Sequence, residues 1–241
     1  MAYVVRAIPL NKNFRAFAVE CKDIVETVRK LQALSPIASA ALGRALAGVA
    51  LLSADLKTGK ILLQINGGGP LGEILAEGNW KGELRGTVKN PHVYLEIKSK
   101  KLPVGEAVGK KGFISVVRDL GLKEVYQSSS KLVSGEIAEL EKILKNFPPI
   151  TTLLSQGKTP EDILRMLFSE IKILERRELK YKCNCSQERV ESMLVALGEK
   201  ELEDFVKKKE PVEVICHFCR KKYVVPLNKV KAILEKLRNK S

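Results

Sequence analysis

Histidine and aromatic residues are scarce in this chain, and their scarcity excludes several classes of function. The 241 residues include only two histidines, and aromatic side chains make up 5% of the sequence. His92 follows Pro91 where a strand is expected, and we predict a structural role for it. No Ser-His-Asp pattern or pair of catalytic carboxylates stands out, and the glycine run at 67–69 lacks the Lys and Ser/Thr of a phosphate loop. We therefore expect that the protein is not an enzyme.

No segment is long and apolar enough to predict a membrane span. The longest apolar run, residues 37–56, is interrupted by Arg44 and Asp55, whereas a span needs about 20 predominantly apolar residues. We interpret this run as a buried helix. The first residues also lack the charged and then apolar pattern of a secretory signal. We expect a cytoplasmic protein whose thiols stay reduced.

Acidic residues are outnumbered by basic ones. The chain has 42 Lys and Arg against 28 Asp and Glu, a net charge of +14. Such a balance suggests nucleic acid or another acidic partner. The excess is not concentrated at the C-terminal end, where residues 183–241 carry 13 Lys and Arg against 9 Asp and Glu. For the clusters at 207–209 and 220–222 we favour a solvated face over a track of phosphate contacts.

Cysteine is rare as well, but four of the five cysteines form two close pairs. Cys183 and Cys185 are separated by one residue, and Cys216 and Cys219 by two. On an extended segment, residues two apart face the same side, and a C-x-x-C turn points two sulfurs at one metal ion. Four thiolates complete a tetrahedral zinc site. We predict one Zn²⁺ per chain at these residues, in preference to iron or, in a secreted chain, to disulfides.

The remaining histidine and cysteine are not expected to bind the metal. Four cysteine ligands leave no open position for water, which a catalytic zinc normally has, so the set also argues against an enzyme. His217 lies inside the C-x-x-C turn, where we expect it to be exposed. Cys21 ends a strand-like segment, and because a buried thiol behaves as a small hydrophobe, we predict a structural role over a redox role.

Strand and helix patterns are grouped without regular alternation along residues 1–147, which indicates an N-terminal α+β domain with a mixed sheet. The predicted strands cover residues 3–8, 14–20, 61–65, 72–76, 83–88, 93–97 and 113–117. A helix begins near Asp23, with Glu26 completing a capping-box pattern, and Pro36 ends or kinks it. A second, apolar helix continues to about residue 56. A further helix is predicted over residues 134–147.

Residues 148–180 are predicted to form a helical linker. The sequence Thr159-Pro160-Glu161-Asp162 indicates a helix start, with Thr at the N-cap, Pro at the first position and an acid at the third. Apolar residues then recur at helical spacing, which predicts one amphipathic helix. They are Leu164, Leu167, Ile171 and Leu174. Such a helix either packs on the core or covers an apolar surface that it can release.

Residues 181–241 are predicted to form a small zinc-binding domain. Ser186 caps a helix that ends at Gly198, and a second helix covers residues 199–209. Strands at 212–215 and 223–225 bracket the second cysteine pair as a hairpin, and a last helix covers residues 229–238. A segment of about 60 residues is too small to rely on its core alone, so a metal cross-link has a physical reason.

Several motifs along the chain match one known family. The N-terminal matches are Arg118-Asp119-Leu120-Gly121, Tyr126-Gln127-Ser128 and Ser134-Gly135-Glu136-Ile137-Ala138-Glu139. The C-terminal matches are Cys183-Asn184-Cys185-Ser186-Gln187-Glu188-Arg189-Val190, then Leu197-Gly198, then Cys216-His217-Phe218-Cys219 followed by Tyr223. Taken together, these motifs resemble the heat shock protein 33 family, the redox-regulated holdase chaperones of the cytosol.

The resemblance implies a redox-regulated, ATP-independent holdase that protects against oxidative and heat stress. In its reduced, inactive state the four cysteines hold zinc. Oxidation is then expected to form the disulfides Cys183–Cys185 and Cys216–Cys219, to release zinc, and to loosen the C-terminal domain and the linker. The surface so exposed binds unfolding proteins. The candidate client-binding residues are Leu164, Leu167, Ile171 and Leu174.

The expected partners are unfolded or partly unfolded client proteins and, on oxidation, a second copy of the chain, with neither a membrane nor nucleic acid. The alternative function is a basic zinc-ribbon protein that contacts RNA or DNA and has a purely structural zinc. Its binding would weaken steeply with salt. The few aromatics and the lack of an RNA-binding signature disfavour this alternative.

The chain departs from the family pattern at one place. Members of the resembled family continue after a segment like 135–139 with a stretch that carries a Ser-Glu-Gln motif and a Gly-Gly strand. Here Glu139 is followed directly by Leu140-Glu141-Lys142. We predict that this stretch is absent, which affects the N-terminal sheet and, through it, dimerisation and client binding.

Overall fold

The computed structural model describes residues 1–10, 12–97, 101–120, 144–145 and 147–238. The chain forms two compact units, Met1–Lys182 and Cys183–Ser241. Both contain helices and strands, which confirms the predicted α+β class. The helix expected over residues 134–147 falls almost wholly outside the described residues, and the limits of a linker at 148–180 stay a prediction.

The first unit combines two sheets with a set of helices. Its strands are β1 (Tyr3–Pro9), β2 (Ala16–Glu20), β3 (Lys60–Asn66), β4 (Ile74–Asn79), β5 (Glu83–Val88), β6 (Phe113–Asp119), β7 (Ile171–Glu178) and β8 (Lys180–Tyr181). Its helices are α1 (Lys22–Gln32), α2 (Pro36–Ser53), α3 (Val104–Val108), α4 (Ile150–Ser155) and α5 (Pro160–Phe168). One sheet has the order β2-β1-β7 and is antiparallel. The other has the order β6-β3-β4-β5-β8, in which only β8 pairs in parallel.

Helix α2 packs closely on the five-stranded sheet and forms the centre of the core. It begins where Ser35 accepts a hydrogen bond from the N–H of Ala38 and Pro36 takes the first helical position. Gly86 of β5 permits the close approach, since a Cβ there would lie 2.9 Å from Leu42 Cδ1. Among the described residues, α2 is the one helix that length and composition would allow to span a membrane, but 56% of that window is buried inside the protein.

Two strand predictions in the first unit are wrong in part or whole. The strand expected at 72–76 begins only at Ile74, because Gly72 has a φ of +66°. The strand expected at 93–97 does not form. Its chain is held instead at the start of α2, where the Ser35 hydroxyl donates to the Val93 carbonyl at 2.7 Å and the Ser35 N–H donates to the Pro91 carbonyl at 2.9 Å.

The start predicted for α1 also differs in its capping. The helix begins at Lys22 after Cys21, which makes no side-chain capping bond. Asp23 pairs with the terminal amine of Met1, and Glu26 pairs with Arg29, so no capping box forms. The helix ends at a left-handed Ala33, ahead of Pro36, which begins α2 rather than kinking α1.

The long amphipathic helix expected after Thr159 is wrong beyond α5. The helix start is confirmed, because the Thr159 hydroxyl accepts from the Asp162 N–H at 3.1 Å while the Thr159 N–H donates to the Asp162 carboxylate at 3.0 Å. Ser169 then adopts a φ of 58° and ends the helix. Strand β7 follows and pairs with β1, which satisfies its backbone groups in a ladder. Ile171 and Leu174 therefore lie on a strand and do not extend the helical stripe.

The elements predicted for the second unit are confirmed within a few residues. They are α6 (Gln187–Val195), α7 (Glu199–Lys208), β9 (Val212–Ile215), β10 (Lys222–Val225) and α8 (Leu227–Arg238). The Ser186 hydroxyl caps α6 by accepting from the N–H of Arg189. Strands β9 and β10 form an antiparallel hairpin in which Tyr223 lies opposite Val214. The buried core is Val190, Leu194, Leu202, Val212, Tyr223, Val225, Val230 and Leu234.

Candidate metal centre

The two cysteine pairs come together in the second unit, as the sequence predicted. Their sulfur atoms all lie within 4.8 Å of one another. Cys183 Sγ is 3.6 Å from Cys216 Sγ, and Cys185 Sγ is 3.4 Å from Cys219 Sγ. Both of these short contacts join one sequence pair to the other. Among the described residues, no histidine or carboxylate belongs to this group.

The first pair lies on a non-helical segment directly before α6. Arg189, in the first turn of that helix, donates from Nη1 to the Asn184 carbonyl at 2.7 Å. Together with the Ser186 cap, this bond fixes the chain between the helix start and the two cysteines. The local sequence thus places Cys183 and Cys185 at the end of a rigid element.

The second pair lies on the turn between β9 and β10. The Cys216 N–H donates to the Lys221 carbonyl at 2.9 Å, and the Arg220 N–H donates to the Cys216 carbonyl at 2.8 Å. Arg220 has a left-handed φ of 59°, which closes the turn. The hairpin therefore presents Cys216 and Cys219 to the first pair.

The spacing of the sulfurs fits a tetrahedral metal ion. Zn–S bonds of about 2.3 Å place the sulfurs of a tetrahedral site about 3.8 Å apart. The two short contacts of 3.4 and 3.6 Å and the largest separation of 4.8 Å bracket that value. Soft thiolates select zinc or iron–sulfur clusters over hard cations. Four cysteines could therefore hold one such ion in a closed coordination sphere.

The environments of the four thiols differ. Burial raises the pKa of Cys219 to about 12, and it raises the pKa of Cys183 as well. At Cys185 burial acts in the same direction, but hydrogen bonds from the Tyr223 hydroxyl and the neighbouring thiols outweigh it and lower the pKa to about 7. Because a cysteine must be deprotonated to bind metal, Cys185 provides a thiolate near neutral pH.

Tyr223 is a residue of the site that sequence reasoning missed. Its hydroxyl donates to Cys185 Sγ at 3.0 Å, although 38 positions separate the two residues. The Tyr223 side chain is also buried in the core of the second unit. The inward alternation of Tyr223 and Val225 on β10 is the sequence feature that could have indicated it.

The other histidine and cysteine candidates lie outside the metal centre. His217 is exposed on the hairpin turn, as expected, and His92 is exposed in the first unit. Cys21 is half-buried before α1. Burial, with the charge of Glu20, raises the pKa of Cys21 to about 11, so its thiol is protonated at neutral pH.

The four candidate client-binding leucines and isoleucine are not gathered on one face. Leu164 on α5 is 2% exposed and packs on β1 and β2. Leu167 is half-buried on the same helix, Ile171 is half-buried on β7, and Leu174 on β7 is 41% exposed. Binding of clients by these residues stays a prediction.

These features define the chain as a two-unit α+β protein whose small unit carries a four-cysteine candidate metal centre. The sequence model of the family described as Hsp33 protein matches residues 2–140 and 137–226. The chain therefore belongs to the Hsp33 family.

Named relatives and a solved structure agree with this assignment. The 33 kDa chaperonin of Caldanaerobacter subterraneus subsp. tengcongensis is 36% identical, with 98% of this chain and 99% of the relative covered. The 33 kDa chaperonin of Shouchella clausii is 35% identical, with 99% of each covered. A crystal structure of the 33 kDa chaperonin from Thermotoga maritima superposes with a TM-score of 0.84 at 31% identity, over 99% of each chain.

The comparisons also bear on the departure near Glu139. The alignment with the C. subterraneus relative extends over 291 residues, whereas this chain has 241. The two segments that match the family model meet at residues 137–140. The relative therefore carries residues that this chain lacks, in agreement with the predicted absence. The junction itself lies outside the described residues.

Proposed function

We propose that the chain is a redox-regulated, ATP-independent holdase chaperone whose four clustered cysteines are its switch. The observation that carries the proposal is the approach of four sulfurs within 4.8 Å in a member of the Hsp33 family. Relatives named 33 kDa chaperonin support a chaperone rather than an enzyme. The partners are unfolded or partly unfolded proteins and, after oxidation, a second copy of the chain, in the reducing cytoplasm.

In the reduced state, Cys183, Cys185, Cys216 and Cys219 bind one Zn²⁺ as thiolates. Bound zinc supplies a cross-link between the segment before α6 and the hairpin turn, and such sites contribute about 10–16 kcal/mol of folding free energy in small peptides. The unit has only a small cluster of buried side chains. Its fold therefore depends on those four thiolates staying in place.

Oxidation removes the thiolates in pairs. With hydrogen peroxide as the oxidant, two thiolates give up two electrons and form one S–S bond. The O–O bond of one peroxide breaks, and with two protons the peroxide leaves as two waters. Two peroxides thus convert the four thiolates into Cys183–Cys185 and Cys216–Cys219, and the metal ion is released because disulfide sulfurs are poor ligands.

The choice of disulfide partners decides whether oxidation loosens the unit. Bonds within each sequence pair leave no covalent link between residues 183–185 and 216–219. The crossed pairing, Cys183–Cys216 with Cys185–Cys219, would keep the intervening loop closed, a constraint worth roughly 4 kcal/mol. The crossed sulfurs are in contact at 3.6 and 3.4 Å, so peptide mapping of the oxidised chain is needed. Pairing within each sequence pair is the result that a release switch requires.

Helix α5 covers an apolar surface that such loosening would uncover. Leu164 packs on a buried cluster from β1 and β2 that contains Tyr3, Val5, Ala7 and Ala16. Phe168, at the end of the helix, packs edge-on against Phe14 with ring centroids 5.5 Å apart. Release of α5 would expose both the helix face and the cluster beneath it. We assign client binding to this surface, with Leu164, Leu167, Ile171 and Leu174 as candidates.

A polar contact fastens α5 in its covering position. The Tyr3 hydroxyl donates to Glu161 Oε2 at 2.8 Å, and the Arg176 guanidinium lies 3.9 Å from the centroid of the Tyr3 ring. These residues join α5, β1 and β7 in one cluster. The covered state is therefore a specific packing that needs energy to open.

The first unit ends where the metal-binding unit begins. The N–H of Lys182 donates to the Leu84 carbonyl at 3.0 Å, and its Nζ donates to Glu83 at 2.7 Å. Cys183 is the next residue. Disorder that starts at Cys183 would loosen this anchor of β8, and β7 and α5 precede β8 in the chain. This continuity supports a path from the metal centre to the cover.

Light scattering of heated citrate synthase tests the proposal. Reduced, zinc-loaded chain is compared with chain treated with peroxide and mild heat, and released zinc is read with a chromogenic chelator. We expect about one zinc per chain, as one four-thiolate site requires, together with the onset of aggregation suppression. Zinc that stays bound, or that leaves without any gain in suppression, contradicts the switch.

Two serine variants provide matched controls. Cys21→Ser removes the cysteine outside the metal centre and should switch like the parent chain. Cys216→Ser removes one ligand and should suppress aggregation without oxidant, because three cysteines no longer close the site. If the Cys21 variant loses the switch as well, the response does not belong to the four clustered thiols.

A further inference from the structure

Tyr223 touches the metal centre without being one of its four ligands. Its hydroxyl donates to Cys185 Sγ at 3.0 Å. The side chain is 5% exposed, lies opposite Val214 in the hairpin, and has Lys221 Nζ 5.1 Å from its ring centroid. Packing of the ring in the core therefore fixes the position of the hydroxyl. Groups that hydrogen-bond to a metal ligand orient it and tune its electron density.

The sulfurs of the site accept hydrogen bonds of different kinds. Cys183 accepts from the backbone N–H of Cys185, and Cys219 accepts from the backbone N–H of Lys221. Cys185 accepts from the phenolic O–H of Tyr223. An O–H donor withdraws electron density from a thiolate, and a thiolate with less electron density is a weaker nucleophile.

We propose that Tyr223 is a positioning residue that holds Cys185 Sγ in the metal centre and makes it the least reactive of the four zinc-bound thiolates toward electrophiles, hydroperoxides included. The inference rests on the zinc site of the proposed function. It gives the switch a threshold, because the Cys183–Cys185 disulfide needs Cys185 as a nucleophile. Either Cys185 attacks the peroxide, or it attacks Cys183 sulfenic acid and displaces hydroxide as the S–S bond forms.

Residue-resolved alkylation of the zinc-loaded chain tests this role. Each thiolate adds to the double bond of N-ethylmaleimide, so that one S–C bond forms and the neighbouring carbon takes a proton from water. Labelling is kept below one group per chain, and peptide fragmentation assigns it to each cysteine. Tyr223→Phe removes only the hydroxyl, and we expect Cys185 to react about 2- to 10-fold faster, the range that loss of one hydrogen bond allows.

The Val214→Ala variant separates hydrogen bonding from fold stability. Val214 lies opposite Tyr223, so its truncation loosens the hairpin and leaves the hydroxyl in place. We expect this variant to speed labelling of all four cysteines together, whereas Tyr223→Phe speeds Cys185 selectively. A Tyr223→Phe chain in which all four rates rise equally, or in which the Cys185 rate is unchanged, overturns the proposal.

Two further measurements do not depend on the stability of the phenylalanine variant. Fluorotyrosine at position 223 is a stronger donor and should slow the labelling of Cys185; a faster rate overturns the proposal. In the Co²⁺-loaded chain, Tyr223→Phe should move the sulfur-to-cobalt absorption to lower energy, and an unchanged band counts against the hydrogen bond. A parent chain that holds no zinc contradicts the proposed function itself, whereas equal rates in zinc-loaded chains contradict only the role of Tyr223.

Discussion

The two units of the chain solve the problem of stability in different ways. The first unit buries an extensive aliphatic cluster around α2, while the second buries a small cluster between a hairpin and three helices. The second unit instead gathers four sulfurs from distant positions. Because a domain of this size gains only a few kcal/mol from its core, its fold is tied to its thiols. The difference explains how one half of a molecule can respond to oxidants while the other half persists.

Metal removal should break the comparison most sharply. Loss of zinc, worth about 10–16 kcal/mol in small domains, is expected to unfold the second unit and leave the first intact. Amide exchange over 187–238 reports the second unit, and the fluorescence of Trp80, the only tryptophan, reports the first. Protected amides over 187–238 in the presence of a chelator would contradict the dependence on metal. Restored protection after zinc is added back is the control.

Matched core truncations sharpen the contrast. Leu46 of α2 and Leu202 of α7 are both 0% exposed, and truncation of either to alanine should cost about 2–5 kcal/mol. In the second unit folding and metal binding are linked, so Leu202→Ala should weaken zinc affinity more than tenfold. Leu46→Ala should lower the unfolding temperature of the first unit and leave zinc affinity unchanged. Equal zinc affinities in the two variants would show that the second unit folds independently of its metal.

Glu83 provides a smaller, pH-dependent test within the first unit. Hydrogen bonds from Lys182 and Asn79 hold the pKa of this buried carboxyl below its ordinary value, against the opposing effect of burial. Because the folded-state pKa is depressed, its stabilisation is present above about pH 4.3 and is lost as the pH falls through the folded-state value. Glu83→Gln should cost about 1–3 kcal/mol at pH 7. Thermal unfolding at pH 7 and pH 3 should show that this difference shrinks in acid.

Local sequence features predicted much of this fold. The caps at Thr159 and Ser186 fixed two helix starts, and the C-x-x-C turn between apolar strands fixed the hairpin. Each depends on residues within a few positions of one another. The four ligand candidates were predictable for the same reason, since their spacing alone places two sulfurs together in each pair.

Long-range pairing decided the parts that were not predicted. Ile171 and Leu174 fit a helical period, but β7 finds a partner in β1 about 170 residues away, and this ladder overrides the local pattern. Val93 alternates like a strand residue, yet its carbonyl accepts from Ser35 at the start of α2. The contact of Tyr223 with Cys185 likewise depends on how the folded hairpin meets the first cysteine pair.

Cys21 gives the smallest and most selective test, because it is the one thiol of the first unit. Burial, with the charge of Glu20, raises its pKa to about 11, so any stabilisation from the neutral thiol is complete at neutral pH and is lost only as the pH rises through that value. Cys21→Ser should change stability by less than about 1 kcal/mol. Alkylation of Cys21 by iodoacetamide should keep rising about tenfold per pH unit through pH 10, with Trp80 fluorescence confirming the fold. A rate that levels off near pH 8.5, the ordinary thiol value, would place Cys21 among the reactive thiols and remove the chemical contrast between the two units.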